Sequence, residues 1–377
     1  MRRTASARNA GGAPFDEPSG RFRTGVRRFV ERDLAPRAER WERDARFPRS
    51  AIAAAGRRGY LRLDADRTAT LAEELGRCES AGVALSILVQ VALVAPLLDR
   101  HAQPQQRRRY LEPLYAGRRI AAMAVTEPAA GSDLAAIGTR AIEGRHGFSL
   151  TGEKIYITNG AAADFHLVAA RIGAGSDSSL SVFVVPADAR GVRVTPIPSL
   201  GLRPSAMGSI AYRAVRLPSE SLLGERGAGY AYVQDALTRE RLYGGIAAVA
   251  WAGYALEKTI QYLRKRRAFG TTLNRFQALR HQVADAATNL EAARQLNYAT
   301  FARWNRGDDV MRQVAMVKLF SFQQAQRVIE TCLQLHGGLG YRDDHWTSRW
   351  YRDARAFTIA AGTPEVMREL IAACLRV

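Results

Sequence analysis

The sequence predicts an α+β fold in three parts: an N-terminal α-helical domain, a central antiparallel β domain and a C-terminal four-helix bundle. Three observations predict it. Apolar residues recur at helical spacing in the first third, with Phe22, Val26, Phe29, Val30 and Leu34 as the clearest run. Between residues 120 and 222, short β-favouring runs alternate with glycines. After that, long amphipathic segments joined by short connections return and persist to the end. At 377 residues and 47% hydrophobic, the chain can bury a large core.

Taken in order, residues 1–14 are polar and basic without an apolar core segment, and read as a disordered arm or, as the second reading, a short transit-like segment. Residues 15–119 make up the helical domain. Its first run is expected to close at Pro36, and helices follow at 71–77, 85–98 and 105–115, the last two separated by Gln103-Pro104. The most apolar stretch, 83–98, is broken by Ser86, Gln90 and Pro96 and is short for a bilayer, so a buried helix is expected and no membrane contact. Residues 120–222 make up the β domain, with strands expected at 141–143, 154–158, 166–171, 180–185 and 192–196. Gly144, Gly147, Gly152, Gly160, Gly173, Gly175 and Gly191 punctuate them. Residues 223–377 form the bundle, with helices expected at 229–268, 277–307, 310–336 and 363–375.

The formal net charge is +19 and the pI about 10.6, almost wholly from arginine, because the only lysines are Lys154, Lys258, Lys265 and Lys318. A field of this sign favours anionic partners such as nucleotides, coenzyme A or acidic carrier proteins. No helix-turn-helix, zinc-finger or basic-aromatic motif is present, so nucleic acid is not expected as a partner. Cys78, Cys332 and Cys374 have no CxxC spacing and the six histidines no ligand spacing, which argues for a reduced, cytoplasmic protein without a metal site.

Three segments carry the chemistry. Ala124-Val125-Thr126-Glu127-Pro128-Ala129-Ala130-Gly131-Ser132-Asp133 reads as a strand ending in a hydroxyl-rich turn with exposed N–H groups, suited to a polar ring or phosphate. Thr151-Gly152-Glu153-Lys154-Ile155-Tyr156-Ile157-Thr158-Asn159-Gly160 follows in the same domain. Gln334-Leu335-His336-Gly337-Gly338-Leu339-Gly340-Tyr341 comes late in the bundle and continues through Asp344, Arg349 and Asp353. In order and spacing these segments resemble the acyl-CoA dehydrogenase family over nearly the whole chain beyond the first dozen residues.

The resemblance implies FAD as cofactor. It implies that Val125, Thr126 and Ser132 meet the flavin and the thioester, and that Tyr156 and Thr158 flank the isoalloxazine. It further implies that Arg266, Phe269 and Gln277, with Gln334 and Gly338, reach the FAD of a neighbouring subunit, and that Thr363 and Glu365 lie at its adenosine end. A homodimer or homotetramer is implied with them, and an electron-transfer flavoprotein or oxygen as acceptor.

The family's reaction needs a desolvated carboxylate near the substrate α-carbon. In many members it directly precedes a Gly-Thr pair, but here the segment reads Ala360-Ala361-Gly362-Thr363, and alanine takes no proton. Glu240 in Glu240-Arg241-Leu242-Tyr243 matches the placement of the isovaleryl and long-chain types. Its helical neighbours Ala236, Leu237, Tyr243 and Gly244 include no base, so no ion pair along the helix is available. Arg241 is expected to brace the site, and Ser132, Arg241 and Tyr243 to border the substrate. The backbone N–H of Ala361 still polarises the thioester carbonyl. Over residues 61–67 the family's Pro- and Gly-rich loop is missing, which leaves acyl length and branching open. The expected activity is α,β-dehydrogenation of an acyl thioester, carried on CoA or on an acyl-carrier protein. The alternative, prompted by Ala361, is a flavin-dependent monooxygenase on the same fold.

Overall fold

The computed structural model describes residues 18–173 and 179–377, so the arm expected at residues 1–14 lies outside the described residues. Helix α1 (Pro18–Phe29) runs through a π turn at Val30–Leu34 into α2 (Ala35–Arg43). Pro36 therefore does not close the first run as expected. It lies in the first turn of α2, and the wider π turn before it relieves the hydrogen bond that proline cannot donate. After α3 (Arg49–Arg57) a short connection leads to α4 (Ala65–Leu75), which starts at once because the Asp64 carboxylate accepts the N–H of Arg67 at 2.8 Å. Helices α5 (Ala81–Leu88) and α6 (Ala95–His101) join through a second π turn. By length and composition Ala81–His101 passes for a membrane span, longer than the sequence reading allowed, yet its most apolar part is 89% buried inside the protein. It is a core helix. A third π turn links α7 (Pro104–Gln106) to α8 (Glu112–Tyr115).

The middle of the chain forms one sheet of β1 (Ala121–Ala124), β2 (Arg140–Gly144), β3 (Gly147–Ile157), β4 (Phe165–Ile172), β5 (Ser179–Pro186), β6 (Val192–Pro196), β7 (Gly208–Leu217) and β8 (Leu222–Leu223). The order is β6-β7-β3-β2-β4-β5-β8, with β1 beside β4. Most ladders are antiparallel as expected, but β1 and β2 both run parallel to β4. Of strands β1, β7 and β8, only the end of the first was foreseen, in the strand read into the segment from Ala124. The first is mostly alanine and the last only two residues long, so neither carries a propensity signal. The last also crosses the boundary drawn at 222/223.

In the bundle, α9 (Gly229–Lys265) stops short of residue 268. Arg267–Ala268 (β9) pair instead with Thr271–Thr272 (β10) in a small hairpin. Helices α10 (Gln277–Asn305), α11 (Met311–His336), α12 (Trp346–Phe357) and α13 (Pro364–Leu375) complete it, α12 being additional to the expected set. The N-terminal helices and the bundle share one core, in which Leu75, Ile87, Trp251, Ala325 and Trp350 all take part. Gly76 is essential to that joint, since a Cβ there would come within 1.8 Å of the Trp251 ring. A separate core around Phe148, Phe183, Ile210 and Tyr212 backs the sheet. Val233 and Leu237 on α9 pack against Ala130, Leu134 and Ile137, which brings the turn after β1 up to the start of the long helix.

Candidate active site

Glu240 is half-buried on α9, and among the described residues its carboxylate makes no hydrogen bond and no ion pair within 4 Å. Desolvation pushes its pKa up, opposed by the positive charges of Arg241 and Lys318. Arg241 is buried and donates from Nε to the Ala361 carbonyl at 2.9 Å, so it braces the turn as expected. That turn is backbone-constrained. Ala361 sits at φ +57°, and a Cβ on Gly362 (φ +106°) would come within 2.6 Å of Met367 Cε and 3.3 Å of Arg241 Nη2. The Ala361 N–H has no partner among the described residues, so it remains a free donor close to the anchored guanidinium. A desolvated, unpaired carboxylate, with an unpaired N–H on the turn its neighbour holds, can take a proton from a carbon beside a polarised carbonyl.

Tyr243 requires a correction. It was expected to border the substrate, but its ring is buried against Phe301 and Trp304, and its hydroxyl donates to the Ala65 carbonyl at 3.4 Å. One helical turn before it, Arg239 lies 5.0 Å over the Trp304 ring and bonds Asp235. Tyr243 thus belongs to the packing against α4 and α10, which a sequence without contacts does not distinguish from a binding face.

The β domain supplies a second rim. Val125 and Thr126 follow β1, and the Thr126 carbonyl accepts the Ile155 N–H at 2.9 Å, which sets that strand end beside Tyr156. A bulge in the β3–β7 ladder falls between Lys154 and Ile157, and within it Tyr156 adopts φ +59° with its ring exposed. Left-handed backbone at a tyrosine is held by its surroundings and re-aims the ring out of the sheet. The hydroxyls of Thr126, Ser132 and Thr158 make no hydrogen bond among the described residues. Three free hydroxyls and one outward ring form a donor set that fits the edge and face of a flat polar ring.

The remaining predicted residues lie elsewhere, all solvent-exposed except the half-buried Thr363. Arg266 and Phe269 belong to the β9–β10 hairpin, where Phe269 is 96% exposed and touches only the edge of Phe276 at 6.2 Å. Gln277 begins α10, and Gln334 and Gly338 end α11. No hydrogen bond or ion pair joins this group to Glu240 among the described residues. Thr363 caps α13 by accepting the Val366 N–H at 3.4 Å, and Glu365 stands exposed in the same first turn.

Two arrangements were not foreseen. Lys318 on α11 is 2% exposed, donates to the Phe357 carbonyl and stands 4.0 Å over the Phe322 ring. Its signal was available, a single lysine among Val314, Ala315, Ser321 and Phe322 on one helical face. Lys154 is fully buried, and its ammonium donates to Glu127 Oε1 and to the Val125 carbonyl, each at 2.7 Å. Glu127 also accepts the N–H groups of Gly138 and Thr139 at 2.7 and 3.0 Å. This pair clamps the strand end that presents Val125 and Thr126.

Comparison with known proteins converges on one family. The acyl-CoA dehydrogenase N-terminal, middle and C-terminal domains match residues 17–118, 122–215 and 227–375. The mitochondrial long-chain specific acyl-CoA dehydrogenase of Rattus norvegicus is 30% identical over 93% of this chain and 85% of its own length. Among solved structures, an acyl-CoA dehydrogenase from Geobacillus kaustophilus superposes with a TM-score of 0.91 at 30% identity, covering 97% of this chain and 99% of that one. An FAD complex of PigA matches with the same TM-score at 25% identity, over 97% and 99% of the two chains.

Proposed function

Because this chain belongs to the acyl-CoA dehydrogenase family, we propose that it is an FAD-dependent enzyme that desaturates an acyl thioester between its α- and β-carbons, with Glu240 as the base. The observation that carries this reading is the Glu240 carboxylate itself, desolvated, free of any ion pair, and beside an arginine that holds the Ala361 turn. The α-proton passes to Glu240 while the thioester oxygen takes the Ala361 N–H. FAD, when bound, supplies the acceptor for the hydride that leaves the β-carbon, which balances the new carbon–carbon double bond.

The chain's own residues prepare the reaction. Thr126, Ser132, Tyr156 and Thr158 would hold and orient the flavin, and the Glu127–Lys154 clamp fixes the strand end on which the first of them stands. Arg266, Phe269, Gln277, Gln334 and Gly338 would serve a neighbouring subunit's cofactor in a homodimer or homotetramer. A phenylalanine 96% exposed at a hairpin tip supports such a use. Electrons leave to an electron-transfer flavoprotein or to oxygen.

Replacing Glu240 with Gln should leave FAD bound and the fold intact while lowering kcat by about two to four orders of magnitude. Unchanged turnover would remove Glu240 from the chemistry. The net charge of +19 supports an acyl group tethered to an acidic carrier protein as substrate, since a field of this kind raises the on-rate. Turnover of matched acyl-CoA and acyl-carrier substrates across a salt series decides this: a carrier preference that fades with salt is expected, and a salt-independent CoA preference excludes it.

A further inference from the structure

Three charged groups meet at the connection between α12 and α13, and none pairs with another. Lys318 donates to the carbonyl of Phe357, the last residue of α12, and Arg241 to the carbonyl of Ala361, four residues on. Glu240, next to Arg241, bonds to neither cation, though both act on it through space. Among the described residues, no further charge acts on Glu240 or Lys318. Residues 358–363 carry none, and Arg239 on the same helix is turned away to Asp235 and Trp304. On the α11 side, the Phe322 ring under the Lys318 ammonium packs onto α9, where a Cβ on Gly244 would come within 2.9 Å of it. The ammonium is thus held from two sides, over a ring that packs on α9 at Gly244, one turn beyond Glu240.

A merely structural donor to the Phe357 carbonyl does not need a charge, and a buried ammonium without a carboxylate in contact is costly. The charge calls for another explanation. We propose that Lys318 is a positioning residue for the desaturation, fixing a positive charge near Glu240 without ion-pairing to it, so that the carboxylate is balanced by charge yet its lone pair remains free to take the substrate proton. Desolvation alone disfavours the ionised form that can act as a base; a direct ion pair would occupy the lone pair and depress its basicity. A cation tethered to a backbone carbonyl avoids both. This inference rests on Glu240 being the base.

The test uses the FAD-loaded enzyme with Lys318→Met, Lys318→Arg, Glu240→Gln and the double variant K318M/E240Q. Two readouts are taken: the acid limb of the kcat–pH profile, and thermal stability against pH. In K318M the acid limb should move up by about one pH unit, and K318R should restore most of it. The stability readout does not involve turnover. Glu240 has a raised folded pKa, so the wild type loses stability relative to E240Q as pH rises from the ordinary carboxylate range through the folded value. Without Lys318 the same loss, read as K318M against K318M/E240Q, should extend to higher pH by a similar shift. An unmoved acid limb and an unmoved stability difference would overturn the proposal and leave Lys318 a packing residue. Full activity of E240Q would instead overturn the choice of base, and with it any part for Lys318 in turnover, while the stability difference still reported whether the two groups are coupled.

Discussion

The β domain and the helical bundle each bury one lysine whose pKa desolvation lowers to about 8, and they use it in opposite ways. In the sheet, Lys154 contacts Glu127 directly at 2.7 Å, and that carboxylate, with two backbone N–H donors besides, is held below the usual range even though burial opposes this. The ammonium has two acceptors there and the carboxylate three donors. In the bundle, Lys318 spends its hydrogen bond on a carbonyl, and Glu240 is left above the usual range with no contact partner. The difference separates architecture from chemistry. A buried carboxylate saturated with donors is a poor base and a good clamp; one that is desolvated, unpaired and only loosely balanced by charge is the reverse.

The sharpest way to break this comparison is to make the same substitution at both carboxylates. E240Q should lower kcat by about two to four orders of magnitude, with a melting temperature equal to or above that of the wild type at neutral pH, because it removes a desolvated charge. E127Q should behave oppositely. It strands the Lys154 ammonium in the sheet, at an expected loss of about 3–5 kcal/mol of stability, seen as a lower melting temperature and weaker FAD retention, with kcat per bound flavin little changed. The double variant E127Q/K154M, which removes both charges, should recover part of that loss. If E127Q lost turnover without losing stability, the clamp would have to be reclassified as part of the reaction.

How much of this contrast the sequence could reveal depends on the range of the interactions involved. Glu240 was legible because its value rests on an absence within one helix, the lack of a base three or four residues away, and that absence is written in the chain itself. The three-part fold was legible for a similar reason, since helical periodicity and glycine-punctuated strands are local patterns. Pro36 misled because a π turn can absorb a proline that simple helix rules treat as an end. Tyr243 misled because the two faces of α9 differ only in what packs on them, Trp304 and Phe301 on one and the Ala361 turn, through Arg241, on the other. Lys318 showed only as a lone lysine on an apolar helical face, not by what it binds, and the Glu127–Lys154 clamp was invisible as a functional feature. Their partners are 39 and 27 residues away, at distances no periodicity reports.

A third carboxylate guards against reading too much into a raised pKa. Glu42 on α2 is 4% exposed, and desolvation together with the nearby Asp353 pushes it up to about 8. Its surroundings are those of a joint. Its Oε1 accepts the Ser80 hydroxyl at 2.6 Å, while Asp353 on α12 accepts the N–H groups of Ala81 at 3.1 Å and Leu202 at 2.6 Å. The N-terminal helices, the β domain and the bundle therefore meet at two carboxyl groups, with Arg349 and Arg352 as the closest cations. Unlike Glu240, Glu42 has a hydrogen-bond donor and faces no free N–H, so it should play no part in turnover. Its titration should nevertheless be visible. A folded value above the ordinary 4.5 means that the stability it contributes is complete below that pH and is lost as pH rises toward 8. E42Q keeps an acceptor for Ser80 and cannot ionise. Its melting temperature should match the wild type below about pH 4 and exceed it progressively toward pH 8, by an amount equivalent to about 4 kcal/mol, with kcat unchanged throughout. Parallel unfolding curves across that range would mean that Glu42 ionises without penalty at the joint. A fall in kcat would instead mean that the line between carboxylates that hold the domains and the one proposed to take the proton is placed at the wrong residue.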